Sequence, residues 1–169
     1  MNWCRTILDS VMMAAFFNLL AIIAVLVNPR IMMGCYPKSI QKASPQPQTK
    51  REKTIQLCEC FGTLLLLIIY GAFSAVNSKA AGFWNLFYMA YIEWFVISFT
   101  DFFLLDIFLL QKMGHRMQIP DTYGHPDYSL GNWLKKLAIP EHFLGWPFVF
   151  APLMSAAQAG VGMLCGRFI

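Results

Sequence analysis

Four long apolar stretches dominate the hydrophobic pattern of the chain, and polar segments separate them. They run over Val11–Val27, Phe61 to about Val76, Ala80–Leu110 and Phe143–Cys165. Each reaches or approaches the roughly 20 residues that a helix needs to cross about 30 Å of hydrocarbon. Because backbone groups in lipid must be satisfied within the segment, the pattern predicts helices. It lacks the alternation of a membrane β-barrel.

These stretches predict an all-α membrane protein with four transmembrane helices in an up-down bundle, forming one domain over residues 1–169. The first stretch could be confused with a signal peptide, but it has no small-x-small cleavage site before Asn28-Pro29, so an uncleaved helix is expected. The expected helices cover about residues 9–28, 58–77, 81–110 and 143–165, with loops at 29–57 and 111–142.

Composition and charge agree with a membrane class. Hydrophobic residues make up 57% of the chain and charged residues 13%, against about 25% charged in ordinary soluble domains. The net charge of +4 comes from loop residues that form no basic, aromatic-interleaved surface, so we expect the lipid bilayer as a partner and no nucleic acid.

The distribution of Lys and Arg predicts the orientation. The two long loops hold ten of them, whereas the N-terminus, the turn between helices two and three and the C-terminus hold one each, the last being Arg167. By the positive-inside rule both loops are expected in the cytoplasm and both termini outside. The expected location is a plasma membrane of the bacterial inner-membrane type.

The first loop allows two interpretations. Its polar, Pro-broken centre is Ser44-Pro45-Gln46-Pro47-Gln48. Ile31, Met32, Met33 and Tyr36 could lie on the bilayer while nearby lysines face headgroups, or the whole loop could be solvated and only fix the topology. In the second loop, Trp133 to Ile139 has the composition of a short interfacial helix.

The third stretch carries three acids, Glu93, Asp101 and Asp106. An ionised acid at the bilayer centre costs about 2.5–3.5 kcal/mol, so such groups face a protein interior, a cavity or a cation, or stay protonated. At 100° per residue Asp101 lies about 80° from Glu93 and Asp106 about 140° further, which favours Glu93 and Asp101 as the pair on one face. Asn18 and Gln158 are candidate partners of Glu93.

The chemistry of these acids has three interpretations. The simplest is a protonated Glu93 bonded to a neighbouring helix, with Asp101 and Asp106 near the interface. The others are proton or cation handling, and catalysis by Asp101, Asp106 and His115 at the membrane surface. The loop residues His115, Asp121, His125 and Asp127, with Glu141 and His142, match no metal-site spacing, so no metal and no cofactor are expected.

The fourth stretch is rich in small residues. Ala156 with Gly160, and Gly162 with Gly166, form small-x-x-x-small pairs that allow close helix approach within the bundle or in a homodimer. Pro147 and Pro152 are expected to bend this helix, since each removes a backbone donor.

The segment Asp101-Phe-Phe-Leu-Leu-Asp106, followed by Gln118-Ile119-Pro120-Asp121-Thr122, resembles small uncharacterised bacterial four-helix integral membrane proteins. Those proteins pair a two-Asp helix with an Ile-Pro-Gly-Thr-like turn, and Asn28-Pro29-Arg30 and Tyr36-Pro37-Lys38 are similar to their segments after helix one. The chain departs from the pattern at Asp121, where the resemblance implies Gly. It implies a shared feature around Asp101, Asp106 and Pro120 and no particular activity.

We therefore expect a non-enzymatic small transporter-like or accessory membrane subunit with a polar intramembrane site on helix three. One alternative is a membrane-embedded enzyme that acts on a lipid-like substrate at the cytoplasmic interface. The other is a structural partner of a larger membrane complex.

Overall fold

The computed structural model describes residues 2–166, so Arg167 lies outside the described residues. Within that range the chain is helical and contains no strand, which confirms the all-α class. The α-helices are α1 (Trp3–Val27), α2 (Lys38–Ala43), α3 (Lys50–Asn77), α4 (Phe83–Asp101), α5 (Leu110–Met113), α6 (Leu130–Trp133) and α7 (Ala151–Cys165).

Segments of other helical types connect several of these helices. The π-helical segment Phe102–Leu109 joins α4 to α5, while Leu134–Ala138 and Pro140–Phe150 join α6 to α7. As a result, residues 130–165 form one long helical rod, the C-terminal rod. Short 3-10 turns lie at Pro29–Cys35, Gly114–Met117 and Pro126–Tyr128.

Three helices are long and apolar enough to cross a membrane, namely Trp3–Val27, Lys50–Asn77 and Leu130–Cys165. The expected third span, which begins with α4, is not among them. Glu93 and Asp101 both lie within its 19 α-helical residues. A membrane-protein class is therefore supported, whereas the four-span arrangement stays a prediction.

Three helices begin earlier than the sequence pattern indicates, and the first is α1, which starts at Trp3 rather than near residue 9. α3 starts at Lys50 rather than near residue 58 because a capping box closes its first turn. In that box Thr49 Oγ1 accepts from the Glu52 amide at 3.2 Å, and Glu52 Oε2 accepts from the Thr49 amide at 2.7 Å. The C-terminal rod starts at Leu130 rather than 143. Both loops are correspondingly shorter than expected.

Four helical rods pack antiparallel around a shared core. They are α1, α3, α4 with its π-helical extension, and the C-terminal rod. α4 packs against α1 and α7, α7 also packs against α3, and the side between α1 and α3 is the loosest of these four. Side chains of Met13, Leu67, Trp94 and Ile97 lie in this core. We call the end that carries segments 29–49 and 114–129 the loop end.

The apolar flank of the first loop packs into the protein, so the interpretation that places Ile31, Met33 and Tyr36 on the bilayer is wrong. The Pro-broken centre at residues 45–47 is exposed. Ile31, Met33, Tyr36 and Ile40 are buried. The last three pack with residues of the second loop and of the π-segment after α4. Burial raises the pKa of Tyr36, so its hydroxyl stays protonated and donates to the Met117 carbonyl at 2.6 Å. The two loops thus form a second apolar core that closes the loop end.

Asp127 links the two loops. Its buried carboxylate accepts from Lys136 Nζ at 2.6 Å and from the Ser39 hydroxyl on α2. The Lys136 ammonium, followed by the Ser39 hydroxyl, lowers the pKa of Asp127 below its ordinary value. Lys136 therefore binds a protein carboxylate, whereas the neighbouring Lys135 is exposed.

Asp121 has a backbone φ of 66°, in the left-handed region that favours glycine. The resemblance implies Gly at this position, and the turn geometry supplies the reason. Asp tolerates this conformation better than most residues, so the turn forms despite the departure.

We expect the Asp127 link to stabilise the folded protein at neutral pH and to fail in acid. Because its folded-state pKa is lowered, the stabilisation is present above the unfolded value of about 4 and is lost as the pH falls through the folded value. Asp127→Asn should lower the melting temperature in detergent by a few degrees at pH 7, and the difference from wild type should vanish at low pH.

Asp121→Asn is the matched control, since Asp121 is exposed and Asn also tolerates a positive φ. Equal melting temperatures for Asp127→Asn and wild type at pH 7 would contradict this role of the link.

Candidate functional site

Two π-helical segments face each other near the loop end and bring four ionisable side chains together. Asp101 ends α4 directly before the first segment, and Asp106 lies within that segment. Glu141 and His142 lie in the second. We call Asp101, Asp106, Glu141 and His142 the acid–histidine cluster. π-Helical segments within α-helices are frequent at functional sites.

His142 is the centre of this cluster. Its Nε2 lies 3.0 Å from Asp106 Oδ2 and 3.7 Å from Asp101 Oδ2, and its Nδ1 lies 2.9 Å from Ser98 Oγ. Trp133 Nε1 donates to Asp106 Oδ1 at 2.8 Å. Both ring nitrogens of the histidine are thus occupied, and two helical rods hold the ring in place.

The π-helix also corrects the expected arrangement of the acids. A regular α-helix would place Asp106 about 140° round from Asp101, away from any common partner. The π pattern bonds residue i to i+5, as the Leu110 amide does to the Leu105 carbonyl, so residues five apart lie on one side. Asp101 and Asp106 consequently face the same histidine.

The cluster lines a cavity of about 340 Å³ at the loop end of the bundle. Its walls are mostly apolar and come from all four rods and the first loop. The polar lining adds Glu59, Cys60 and Thr63 of α3 to the cluster, and the aromatic lining is Phe17, Tyr36, Trp133, Trp146 and Phe150.

Carboxyl groups dominate the ionisable lining of this cavity. Four carboxyl groups line it, those of Glu59, Asp101, Asp106 and Glu141, beside one histidine. No Lys or Arg of residues 2–166 is in the lining. In addition, the buried Oδ1 of Asp101 has no hydrogen-bond partner. Buried polar groups are normally satisfied, so this oxygen indicates a missing partner.

Glu93 belongs to a different polar group. Its side chain is fully buried, and its Oε2 accepts from Gln158 Nε2 at 2.6 Å while Gln158 Oε1 accepts from Trp94 Nε1 at 2.9 Å. Gln158 was one of the two expected partners, whereas Asn18 donates to the Ala14 carbonyl and to Thr100 Oγ1. Glu93 does not line the cavity, so the structure does not combine it with Asp101 in one site.

A third polar group, at the opposite end from the loops, escaped the sequence analysis. Asp9 is fully buried in α1 and accepts from Arg5 Nε at 3.0 Å, from Ser74 Oγ at 2.5 Å and from Tyr70 OH at 2.8 Å. Arg5 and Asp9 are four residues apart, a spacing that suits a helical ion pair, and this signal could have revealed the group.

The loop histidines do not join the acid–histidine cluster. His115 is exposed and packs its ring edge against Tyr123, and His125 Nδ1 accepts from the Asp127 amide at 3.2 Å. His115 therefore lies apart from Asp101 and Asp106, the other candidate catalytic residues. Across residues 2–166, no group of three or more His, Cys, Asp or Glu side chains has a geometry that could hold a metal ion.

Of the four small residues proposed for packing, Gly162 makes the close approach. A Cβ there would lie 3.2 Å from Leu86 Cδ1, whereas at Gly160 it would meet no atom within 4 Å. Ala156 and Gly160 are half-buried, and Gly166 is exposed. The packing face of α7 also contains Ser155, Gln158 and Ala159, which are buried.

No known family model matches this chain, and no curated protein or solved structure matches it. The resemblance to small bacterial four-helix membrane proteins therefore stays a prediction, and any function must be inferred from the cavity.

The position of Gly71 makes the Glu93–Gln158 bond testable. A Cβ at Gly71 would lie 2.3 Å from Gln158 Nε2, whose side chain is fixed by Glu93 and Trp94. Gly71→Ala should displace the amide and lower the free energy of unfolding by about 1–3 kcal/mol. Thermal unfolding in a mild detergent measures this effect.

Gly62→Ala, on the same helix, is the control because a Cβ there would meet no atom within 4 Å. It should leave the free energy of unfolding within about 1 kcal/mol of wild type or raise it. An equal effect of the two substitutions would refute the predicted role of the Gln158 contact.

Proposed function

We propose that this chain is a four-span, transporter-like membrane protein that binds a lipophilic cation in the cavity at the loop end. The observation that carries the proposal is the predominance of carboxyl groups in the lining of that cavity. Its four carboxyl groups have no Lys or Arg beside them among the described residues, and a single histidine is the only other ionisable nitrogen group. A cation is the ligand that such a lining favours electrostatically.

The rest of the lining fits a cation with an apolar body. Aromatic faces from Tyr36, Trp133 and Trp146 surround the acids. Aromatic rings attract cations through their quadrupoles, most strongly where water is excluded, and they also pack against hydrocarbon. The unpartnered Oδ1 of Asp101 supplies a point of attachment for the charge.

Proton exchange follows from the same geometry. Carboxyl groups that share an apolar cavity repel one another when ionised, so protons neutralise part of the charge when the cavity holds no cation. A bound cation replaces those protons. Binding should therefore release protons, and it should strengthen as the pH rises.

The orientation belongs to the proposal. The ten Lys and Arg residues of segments 29–57 and 112–141 support a cytoplasmic loop end, with both termini outside. The cavity would then lie near the cytoplasmic interface. In that position it would receive molecules dissolved in the inner leaflet and exchange protons with cytoplasmic water.

The enzyme alternative has one observation in its favour, the chain Ser98–His142–Asp106. Hydrolases that activate a serine nucleophile also link Ser, His and Asp side chains in this order by hydrogen bonds. However, Ser98 is buried and does not line the cavity, so a molecule in the cavity would not meet its hydroxyl. The arrangement supports a positioned histidine better than an attacking hydroxyl.

The test is binding of tetraphenylphosphonium to the purified protein in lipid nanodiscs, measured by calorimetry. Asp101→Asn should weaken binding at least tenfold, because it removes a charge beside the bound cation, corresponding to about 1.4 kcal/mol or more. Glu141→Gln should weaken it in the same direction. In a weakly buffered sample, the wild-type protein should release protons on binding.

Glu93→Gln is the matched control, since Glu93 lies on the same helix as Asp101 but outside the cavity. It should leave the affinity within about twofold, well under the 1.4 kcal/mol of a tenfold change. Unchanged affinity in both Asp101→Asn and Glu141→Gln would overturn the proposal. Loss of binding in Glu93→Gln alone would move the site to Glu93.

A further inference from the structure

A second cavity lies on the loose side between α1 and α3. It has a volume of about 290 Å³ and is lined by Met12, Met13 and Phe16 of α1 and by Leu66, Leu67 and Tyr70 of α3. The cavity at the loop end takes its α1 and α3 walls from Phe17, Ala21, Val25, Glu59, Cys60, Thr63 and Leu64. On both helices the two linings are adjacent in sequence.

The two cavities follow one another along α1 and α3, and we call the pair the α1–α3 cleft. Along α1 their linings extend from Val25 to Met12, thirteen residues, or about 20 Å at 1.5 Å per residue. The loop-end part carries the carboxyl groups among mostly apolar walls, and the remaining part is almost entirely apolar. Several lining residues, including Met12, Phe16 and Leu66, are exposed on the outer surface of the bundle, which lies in lipid in a membrane.

The apolar part ends at a polar boundary. Tyr70 belongs to its lining, and the Tyr70 hydroxyl donates to Asp9 at 2.8 Å. Asp9 is in turn bound to Arg5 and Ser74. The cleft therefore offers an acidic end, a long apolar middle and a polar group at the far end.

We propose that the α1–α3 cleft binds a long-chain alkylammonium amphiphile that enters sideways from the bilayer. The cationic head lies among the acids of the loop-end cavity, and one alkyl chain extends between α1 and α3 towards Tyr70. The inference rests on the proposed cation site and deepens it by naming the ligand class. Charge complementarity fixes the head, and the length and apolar lining of the cleft fix the chain.

We expect the ligand to have a single alkyl chain. The side between α1 and α3 is loose but still bounded by both helices, and its apolar part has a volume of about 290 Å³. Burial of apolar surface contributes about 25 cal/mol per Å², so each methylene in the cleft adds to the affinity. Affinity should therefore rise with chain length beyond the effect of simple partition into lipid.

The experiment compares hexadecyltrimethylammonium with butyltrimethylammonium in nanodiscs, each displacing a fluorescent cation from the protein. Leu66→Trp places a bulky ring in the cleft, whereas Leu65→Trp places the same ring on the neighbouring residue, which is equally exposed (57% and 58%) but does not line the cleft. The ratio of variant to wild-type affinity for one ligand cancels its partition into lipid.

Leu66→Trp should weaken the long-chain ligand at least tenfold and leave the short-chain ligand unchanged, and Leu65→Trp should change neither. If Leu66→Trp affects both ligands equally or neither of them, the cleft inference is overturned while the cation site stands. If Asp101→Asn changes the affinity of neither ligand, the proposed function fails first.

Discussion

The structure depends on the need to partner every charged group that the bundle removes from water. An unpaired charge in a low-dielectric interior is costly, so each buried acid here is tied to another rod. Asp9 binds Arg5 and Ser74, Glu93 binds Gln158, and Asp106 binds His142. These bonds hold helices together at three levels of the bundle, where apolar packing alone would leave their rotation weakly specified.

The acid–histidine cluster differs from the other two levels because it lines the cavity at the loop end, beside two π-helical segments. Asp101 keeps an oxygen without a partner, and four carboxyl groups share the lining. Local departures from the lowest-energy arrangement are common at functional sites, because a ligand supplies the missing contact.

The looseness of the side between α1 and α3 gives the cavity an access route. α4 packs between α1 and α7 and carries Glu93 and Asp101. α1 and α3 instead meet along a cleft whose lining changes from acidic to apolar. Under the proposed function, binding of an amphipathic cation, proton exchange and lateral entry from the bilayer would all follow from this one asymmetry in helix packing.

The sequence by itself determined the helical class and three of the apolar spans, and it named Gln158 as one of two candidate partners of Glu93, because hydrophobic runs and the cost of buried acids are local or compositional properties. It could not place Asp101 and Asp106 on one side, since that depends on a π-helix where the segment Phe102–Leu109 contains neither Pro nor Gly. It also missed Asp9 and assigned Tyr36 and Ile40 to no core. Only tertiary structure decides these points, because contacts between distant segments fix which rod faces which and what a loop covers.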